Sequence, residues 1–229
     1  MKLFSVSEVR VGQVRPLGPK GVPSGIDKSA VPGPVMALSD GLVGDEQGDR
    51  RHHGGPDKAI HAYAVANYAA WAADLPEQTA LFRPGGFGEN LVVEGATEAD
   101  IRLGDRCRLG GALLEVSQGR QPCWKLNLRF GRPDMARLVQ TTGRTGWYFR
   151  VIEPGEIRPG DAATLEARPQ PGWTLDRVSR LLYHDRRNRA DLTEFAALPG
   201  LPESWRRLAE ARLASGRTED WTRRVETPD

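Results

Sequence analysis

Ile101-Arg102-Leu103-Gly104-Asp105-Arg106-Cys107-Arg108-Leu109-Gly110-Gly111-Ala112-Leu113-Leu114-Glu115-Val116-Ser117 reads as a turn followed by a β-hairpin. Two runs of β-type residues flank Gly110-Gly111. A tight primed turn needs positive φ at both central residues, and glycine adopts it without steric cost. Within the first run Cys107 alternates with Arg106 and Arg108. If the arginines face solvent, Cys107 points inward as a small apolar core residue. The opening five residues recur in Ile157-Arg158-Pro159-Gly160-Asp161, which also precedes a strand, so the same kind of turn is expected twice.

Working outward, most of the chain before residue 170 has dense Gly and Pro and short apolar runs. Strands are expected in Ser5–Val14, in 90–95, in Trp147–Ile152 up to Pro154-Gly155, and in Ala163–Ala167. One helix is expected to open at Pro56-Asp57 and end near Leu75-Pro76, with Ile60, Tyr63, Ala64, Tyr68 and Trp71 on its apolar face. A shorter one is expected from Pro133 to Gln140. After Gly172 the pattern turns helical. Thr174 suits an N-cap, Asp191 opens a second helix closed by Pro199-Gly200, and a third runs from Pro202 to Ala214 with Gly216 at its C-terminus. The expected fold is mainly β with α: a β-barrel over residues 1–168, then a small three-helix domain over 172–229.

With 39% hydrophobic and 27% charged residues, the 229-residue chain has the composition of a globular protein that buries a core. The net charge of +2 gives no case for nucleic acid. The helical tail balances eleven arginines against ten acidic residues, as expected of an ion-paired surface. Two cysteines do not make a disulfide framework in a chain this long. No signal-like N-terminus or run of about 20 apolar residues appears. Cytoplasmic localisation, reduced thiols and no membrane contact are therefore expected.

Four segments carry more polar detail than packing requires: Gly25-Ile26-Asp27-Lys28-Ser29, Gly44-Asp45 onward to His53-Gly54-Gly55-Pro56-Asp57-Lys58, Gly86-Phe87-Gly88-Glu89-Asn90, and Ser117 to Asn127. In the last, Cys123 lies in a Pro-containing loop flanked by Arg120 and Lys125. Nearby positive charge favours the thiolate, the form that binds soft metals or attacks electrophiles. The glycines after His53, leading into Pro56, suit an anion such as phosphate. Lys28, Ser29 and Arg120 are further anion contacts, whereas Glu89-Asn90 is equally explained by turn chemistry. No histidine pair has a standard zinc spacing, and His61 reads as a packed residue. No Rossmann fingerprint, P-loop or Gly-x-Ser-x-Gly is present.

Gly25-Ile26-Asp27-Lys28, His53-Gly54-Gly55-Pro56-Asp57-Lys58-Ala59, Gly86-Phe87-Gly88-Glu89-Asn90-Leu91, Gln121-Pro122-Cys123-Trp124-Lys125-Leu126 and Thr142-Gly143-Arg144-Thr145-Gly146-Trp147-Tyr148 occur in this order. Together they resemble the MOSC-domain family, specifically its YiiM-like branch, over almost the whole chain. The resemblance implies a MOSC β-barrel followed by a three-helix domain. It also implies the molybdenum cofactor (molybdopterin), with Cys123 as catalytic residue and metal ligand. Lys28, Ser29, Asp45, His53, Asn90 and Arg120 fall in or beside the family motifs as cofactor-binding residues. The implied activity is reduction of N-hydroxylated compounds, such as hydroxylamino base analogues, by oxygen-atom transfer to the Cys-ligated molybdenum. Electrons would come from a separate flavin or iron–sulfur reductase, and the helical tail is a candidate for homodimerisation, reductase docking or covering the pocket. Two alternatives stand beside it: a non-catalytic carrier of cofactor or persulfide sulfur, and a metal-free thiol enzyme with Cys123 as nucleophile and His53 as base.

Overall fold

The computed structural model describes residues 1–49 and 54–228. Thirteen strands run in chain order: β1 (Lys2–Val11), β2 (Arg15–Leu17), β3 (Val22–Ser24), β4 (Ser29–Val31), β5 (Val35–Leu38), β6 (Gly41–Leu42), β7 (Ile60–Ala64), β8 (Leu91–Glu94), β9 (Arg106–Leu109), β10 (Ala112–Gly119), β11 (Trp147–Glu153), β12 (Gly155–Ile157) and β13 (Ala162–Ala167). Seven close into a barrel in the order β13-β9-β10-β11-β7-β8-β1, the ring being completed by β1 pairing β13, and β4 extends the sheet from β1. Every barrel pairing is antiparallel except β7 with β8. Register shifts interrupt β1 against β8 and β13, and β10 against β11. Such bulges add local bend and twist, which closing so small a sheet on itself requires.

The two related pentapeptides are indeed one turn used twice. The Arg102 N–H donates to Asp105 Oδ2 at 3.0 Å, and the Arg158 N–H to Asp161 Oδ2 at 2.9 Å. Gly104 and Gly160 supply the positive φ, 74° and 93°. Each turn delivers the chain into a barrel strand, β9 or β13. Between β9 and β10 the Gly110-Gly111 hairpin forms as expected, and Cys107 is fully buried in the barrel interior.

One expectation fails. The helix read from Pro56 to Leu75 is a single 3₁₀ turn (Pro56–Lys58), then β7, then α1 (Val65–Asp74). All five residues of β7 are buried, because β11 and β8 flank it and both of its faces are covered. A strand buried on both faces shows no alternation, so Ile60, Tyr63 and Ala64 match a helical period by accident. The short helix expected from Pro133 is α3 (Met135–Thr142), and it is preceded by α2 (Lys125–Phe130) directly after the cysteine loop.

The tail folds as α4 (Leu175–Tyr183), α5 (Arg189–Ala196) and α6 (Glu203–Ser215), followed by a single turn, α7 (Thr222–Val225). Thr174 caps α4 by accepting the Arg177 N–H at 3.0 Å, Asn188 caps α5, and Gly216 ends α6 at φ 65°. These helices share one core with the barrel: Trp173, Leu182, Phe195 and Trp205 belong to the same apolar cluster as Phe4, Val116 and Trp147. α4 lies against β10, whose first seven residues are all buried. Beyond Gly216 the chain leaves the helical unit and returns to the barrel side. There Val225 joins a second cluster with Trp71, Phe87 and Phe130. Within the expected 172–229 unit, the three longer helices occupy 175–215, and the segment carrying α7 packs on the cysteine loop.

Candidate functional site

Five of the expected residues meet at one cleft of about 610 Å³ counting its open mouth. Lys28, Asp45, Asn90, Arg120 and Cys123 line it, together with Lys58 and Tyr148 from the motifs, Lys125, read as a cation flanking the thiol, and His61, read as a packed residue. Ser29 is not among them: it is exposed on the edge strand β4 opposite Val11. Its neighbour Lys28, just before β4, is buried and lines the cleft. His53 lies outside the described residues.

The cleft floor is a closed polar network. Lys28 and Asp45 form an ion pair with side chains 6% and 3% exposed. Asp45 also accepts the Gly12 N–H at 2.9 Å and the Asn90 side-chain amide at 2.9 Å. Asn90 Oδ1 in turn accepts the His61 N–H at 3.0 Å. Each buried polar atom here has its partner, which is the condition for keeping charge away from water. Lys28, Asp45 and Asn90 are thus held mainly by one another, and they fix the geometry of the loops that carry them.

Glu89 and Asp57, within the same motifs, are structural. The Glu89 carboxylate accepts the Phe87 N–H at 3.0 Å and is bonded by Gly85 N–H and the Tyr68 hydroxyl, so it ties down the Gly86-Phe87-Gly88 loop. Gly88, at φ 75°, passes so close to Ile26 that a Cβ would sit 2.7 Å from it. Asp57 receives Arg150 Nε at 2.6 Å.

Positive charge gathers on the cysteine side. Arg120 leaves β10 with its N–H on the Gly146 carbonyl at 3.0 Å. Its side chain is buried, and its Nη1 finds no hydrogen-bond partner among the described residues. Burial, then the neighbouring Arg224 guanidinium, lowers the Lys58 pKa from its usual range. Burial, then Arg120, pushes His61 down to about 3 against the carbonyls of Thr145 and Gly88, so its ring is neutral at ordinary pH. The His61 ring packs against Tyr148 with centroids 5.1 Å apart. The sequence signal for Tyr148 was its place at the end of the last ordered motif, whereas His61 lies just beyond the His53–Ala59 motif and was read as a packed residue.

Cys123 sits between these cations at the wall of the cleft, on a loop fixed at both ends. Its neighbour Trp124 donates its N–H to the Arg224 carbonyl at 2.7 Å, and α2 begins immediately after. Both thiols are buried, but Cys107 lies in the apolar barrel core rather than at this cleft, and burial raises it to about 12. Among the described residues no group of three or more His, Cys, Asp or Glu could enclose a metal ion. One soft sulfur beside guanidinium and ammonium groups fits a metal that arrives with its other ligands on an anionic carrier. Arg120 Nη1, without a partner among the described residues, is a donor that an acceptor on such a group fits.

A MOSC domain family model matches residues 49–164, and a YiiM-like 3-alpha helix domain model matches residues 173–216. Protein YiiM from Escherichia coli is 40% identical over 207 residues, covering 90% of this chain and 92% of that one. Its crystal structure superposes with a TM-score of 0.80, covering 94% and 100% of the two chains. The crystal structure of YiiM from Geobacillus stearothermophilus gives 0.78 at 34% identity, covering 92% and 99%. A protein named reductase from Gibberella moniliformis is 36% identical over 210 residues, 91% of this chain but 37% of its own length. With two family models in the expected order and relatives of this similarity along nearly its full length, the chain belongs to the MOSC-domain family, in the branch that carries the YiiM-like three-helix domain.

Proposed function

We propose that this protein is a molybdenum-cofactor-dependent reductase of N-hydroxylated compounds. The observation that carries the reading is the donor set of the cleft: the buried Cys123 sulfur lines it together with the buried Arg120 guanidinium, whose Nη1 has no hydrogen-bond partner among the described residues. The balanced reaction converts an N-hydroxylamine, two electrons and two protons to an amine and water. When bound, the cofactor supplies the electron pair that breaks the N–O bond.

The chain's own residues have separate tasks. Cys123 holds the metal as its single protein ligand. Arg120 binds an anionic oxygen of cofactor or substrate, and the neutral His61 with Tyr148 walls the cleft. Lys58, an ammonium lining the cleft, gives a proton to the departing oxygen. The Lys28–Asp45–Asn90 network keeps the loops in register. Electrons come from a separate reductase. Support for that partner is the Gibberella protein, in which a segment similar to this chain is joined to a much longer remainder under the name reductase.

The test is protein made in a host that synthesises the cofactor, assayed for molybdenum by elemental analysis and for reduction of a hydroxylamino base with a chemical reductant. About one molybdenum per chain with turnover, both lost in Cys123→Ala, is the expected result. Bound molybdenum without turnover would assign a carrier role, and a reactive thiol in metal-free, pterin-free protein would assign thiol chemistry.

A further inference from the structure

The loop that carries Cys123 is anchored at both ends by other parts of the chain. It starts at Arg120, whose N–H is held by the Gly146 carbonyl at 3.0 Å, and ends at Trp124, whose N–H is held by the Arg224 carbonyl at 2.7 Å. Pro122, between them, has no N–H to donate. α2 opens directly after the loop without a side-chain N-cap, so the Arg224 carbonyl takes up a donor that a helix start leaves over.

Asn127 makes a second fastening to the same returning segment. It is 3% exposed. Its Nδ2 donates to the Val225 carbonyl at 2.8 Å and to Thr227 Oγ1 at 3.3 Å, and its Oδ1 accepts the Ala136 N–H, in the first turn of α3, at 2.8 Å. A side-chain amide offers donors and an acceptor together, and here both kinds are spent on segments distant in sequence. Two consecutive carbonyls, of Arg224 and Val225, thus hold the cysteine segment at Trp124 and Asn127. The buried Val225 side chain seats that grip in the apolar cluster with Phe130 of α2 and Met135 of α3. Asn127 lies four residues after Cys123, about one helical turn, so a shift of α2 at Asn127 carries the sulfur with it.

We infer that Asn127 is a positioning residue, which with residues 221–227 clamps the loop so that Cys123 faces the cations of the first cleft. Its partners Arg224, Val225 and Thr227 lie beyond the residues that either family model matches. The inference concerns where the thiol is held. It does not depend on a metal, and it stands or falls apart from the molybdenum reading.

The test alkylates the full chain, prepared without molybdenum, with iodoacetate or iodoacetamide at one pH, and follows Cys123 by mass spectrometry of the digest. The same thiolate attacks both reagents, so the ratio of the two rates cancels its ionisation and reports the local potential. For the parent that ratio is expected to exceed the ratio for free cysteine by about fivefold, because a cleft of one sign concentrates the anion. Asn127→Ala and Val225→Ser, which loosen the clamp from its two sides, should each lower it about threefold. Leu192→Ala, in the core beneath the helices and remote from the loop, should lower the melting temperature and leave the ratio at the parent value. Circular dichroism checks that each variant is folded, and if Asn127→Ala is not, Val225→Ser decides alone. An unchanged ratio in the folded clamp variants would overturn the inference. So would an equal fall in Leu192→Ala, or a parent ratio no higher than that of free cysteine.

Discussion

Asp45 accepts the side-chain amide of Asn90 at 2.9 Å, and the same carboxylate carries the buried charge of Lys28 on its other oxygen. Removing the Asp45 charge leaves an ammonium enclosed without its counter-ion. Asp45→Asn is expected to destabilise the protein by about 3 kcal/mol in urea unfolding. Because Asn retains an acceptor for the Gly12 N–H, the double variant Lys28→Met/Asp45→Asn should recover at least half of that loss. A double variant as unstable as the sum of its singles would show that the pair is not coupled.

His61 makes stability depend on pH. Its folded pKa of about 3 lies below the ordinary 6.5, so the unfolded chain binds the proton first as pH falls. The contribution is complete above pH 6.5 and is lost progressively below it, at about 1.4 kcal/mol per pH unit from this one group. His61→Gln should therefore lose less stability than the parent between pH 6.5 and 4.5. Parallel urea midpoints for the two proteins across that interval would remove His61 from the account.

The two thiols should separate cleanly by reactivity. Iodoacetamide is expected to label Cys123 in the folded protein and Cys107 only after unfolding, read by mass spectrometry of the digested chain. Cys107→Ala should cost about 1 kcal/mol of stability through lost packing, whereas Cys123→Ala should leave the melting curve near that of the parent. Labelling of both sites in the native state would contradict the burial assigned to Cys107.

The Arg120 guanidinium is buried, and its Nη1 has no partner among the described residues, an arrangement expected to cost stability. Arg120→Met is expected to raise unfolding stability by about 1 kcal/mol while lowering the molybdenum retained on purification. A destabilised variant with undiminished metal would assign Arg120 to structure.

Since Trp205 packs into the core that the helices share with the barrel, Trp205→Ala should cost about 3–5 kcal/mol. A fragment ending at residue 170 should then bind a hydrophobic dye rather than fold. A fragment with the sharp melting transition of the whole chain would make the two units independent.

Much of this was legible in the sequence for local reasons. The Gly110-Gly111 hairpin, the repeated Asp-closed turn and the Thr174 cap are each specified by a few adjacent residues. Cys123, Asp45, Asn90 and Arg120 stood out because polar residues crowded into loops need a reason to be there. β7 was hidden because a strand covered on both faces has no period of two. His61 was hidden because a histidine in an apolar run looks the same whether or not a cleft opens beside it. Ser29 follows Lys28 in the sequence but lies exposed on β4, outside the cleft. The return of residues 217–228 to the cysteine loop rests on long-range contacts, such as Trp124 to Arg224, that no local pattern announces.

The ring that closes through Lys2 and Thr164 sets a timetable for synthesis. The first strand leaves the ribosome long before the last one exists, so its edge must wait through roughly 160 residues of translation. Contacts this distant along the chain make for slow folding and a prolonged chance of mispairing. Lowering the growth temperature or raising chaperone levels should therefore improve the recovered yield of this protein more than it would for a helical bundle of similar size.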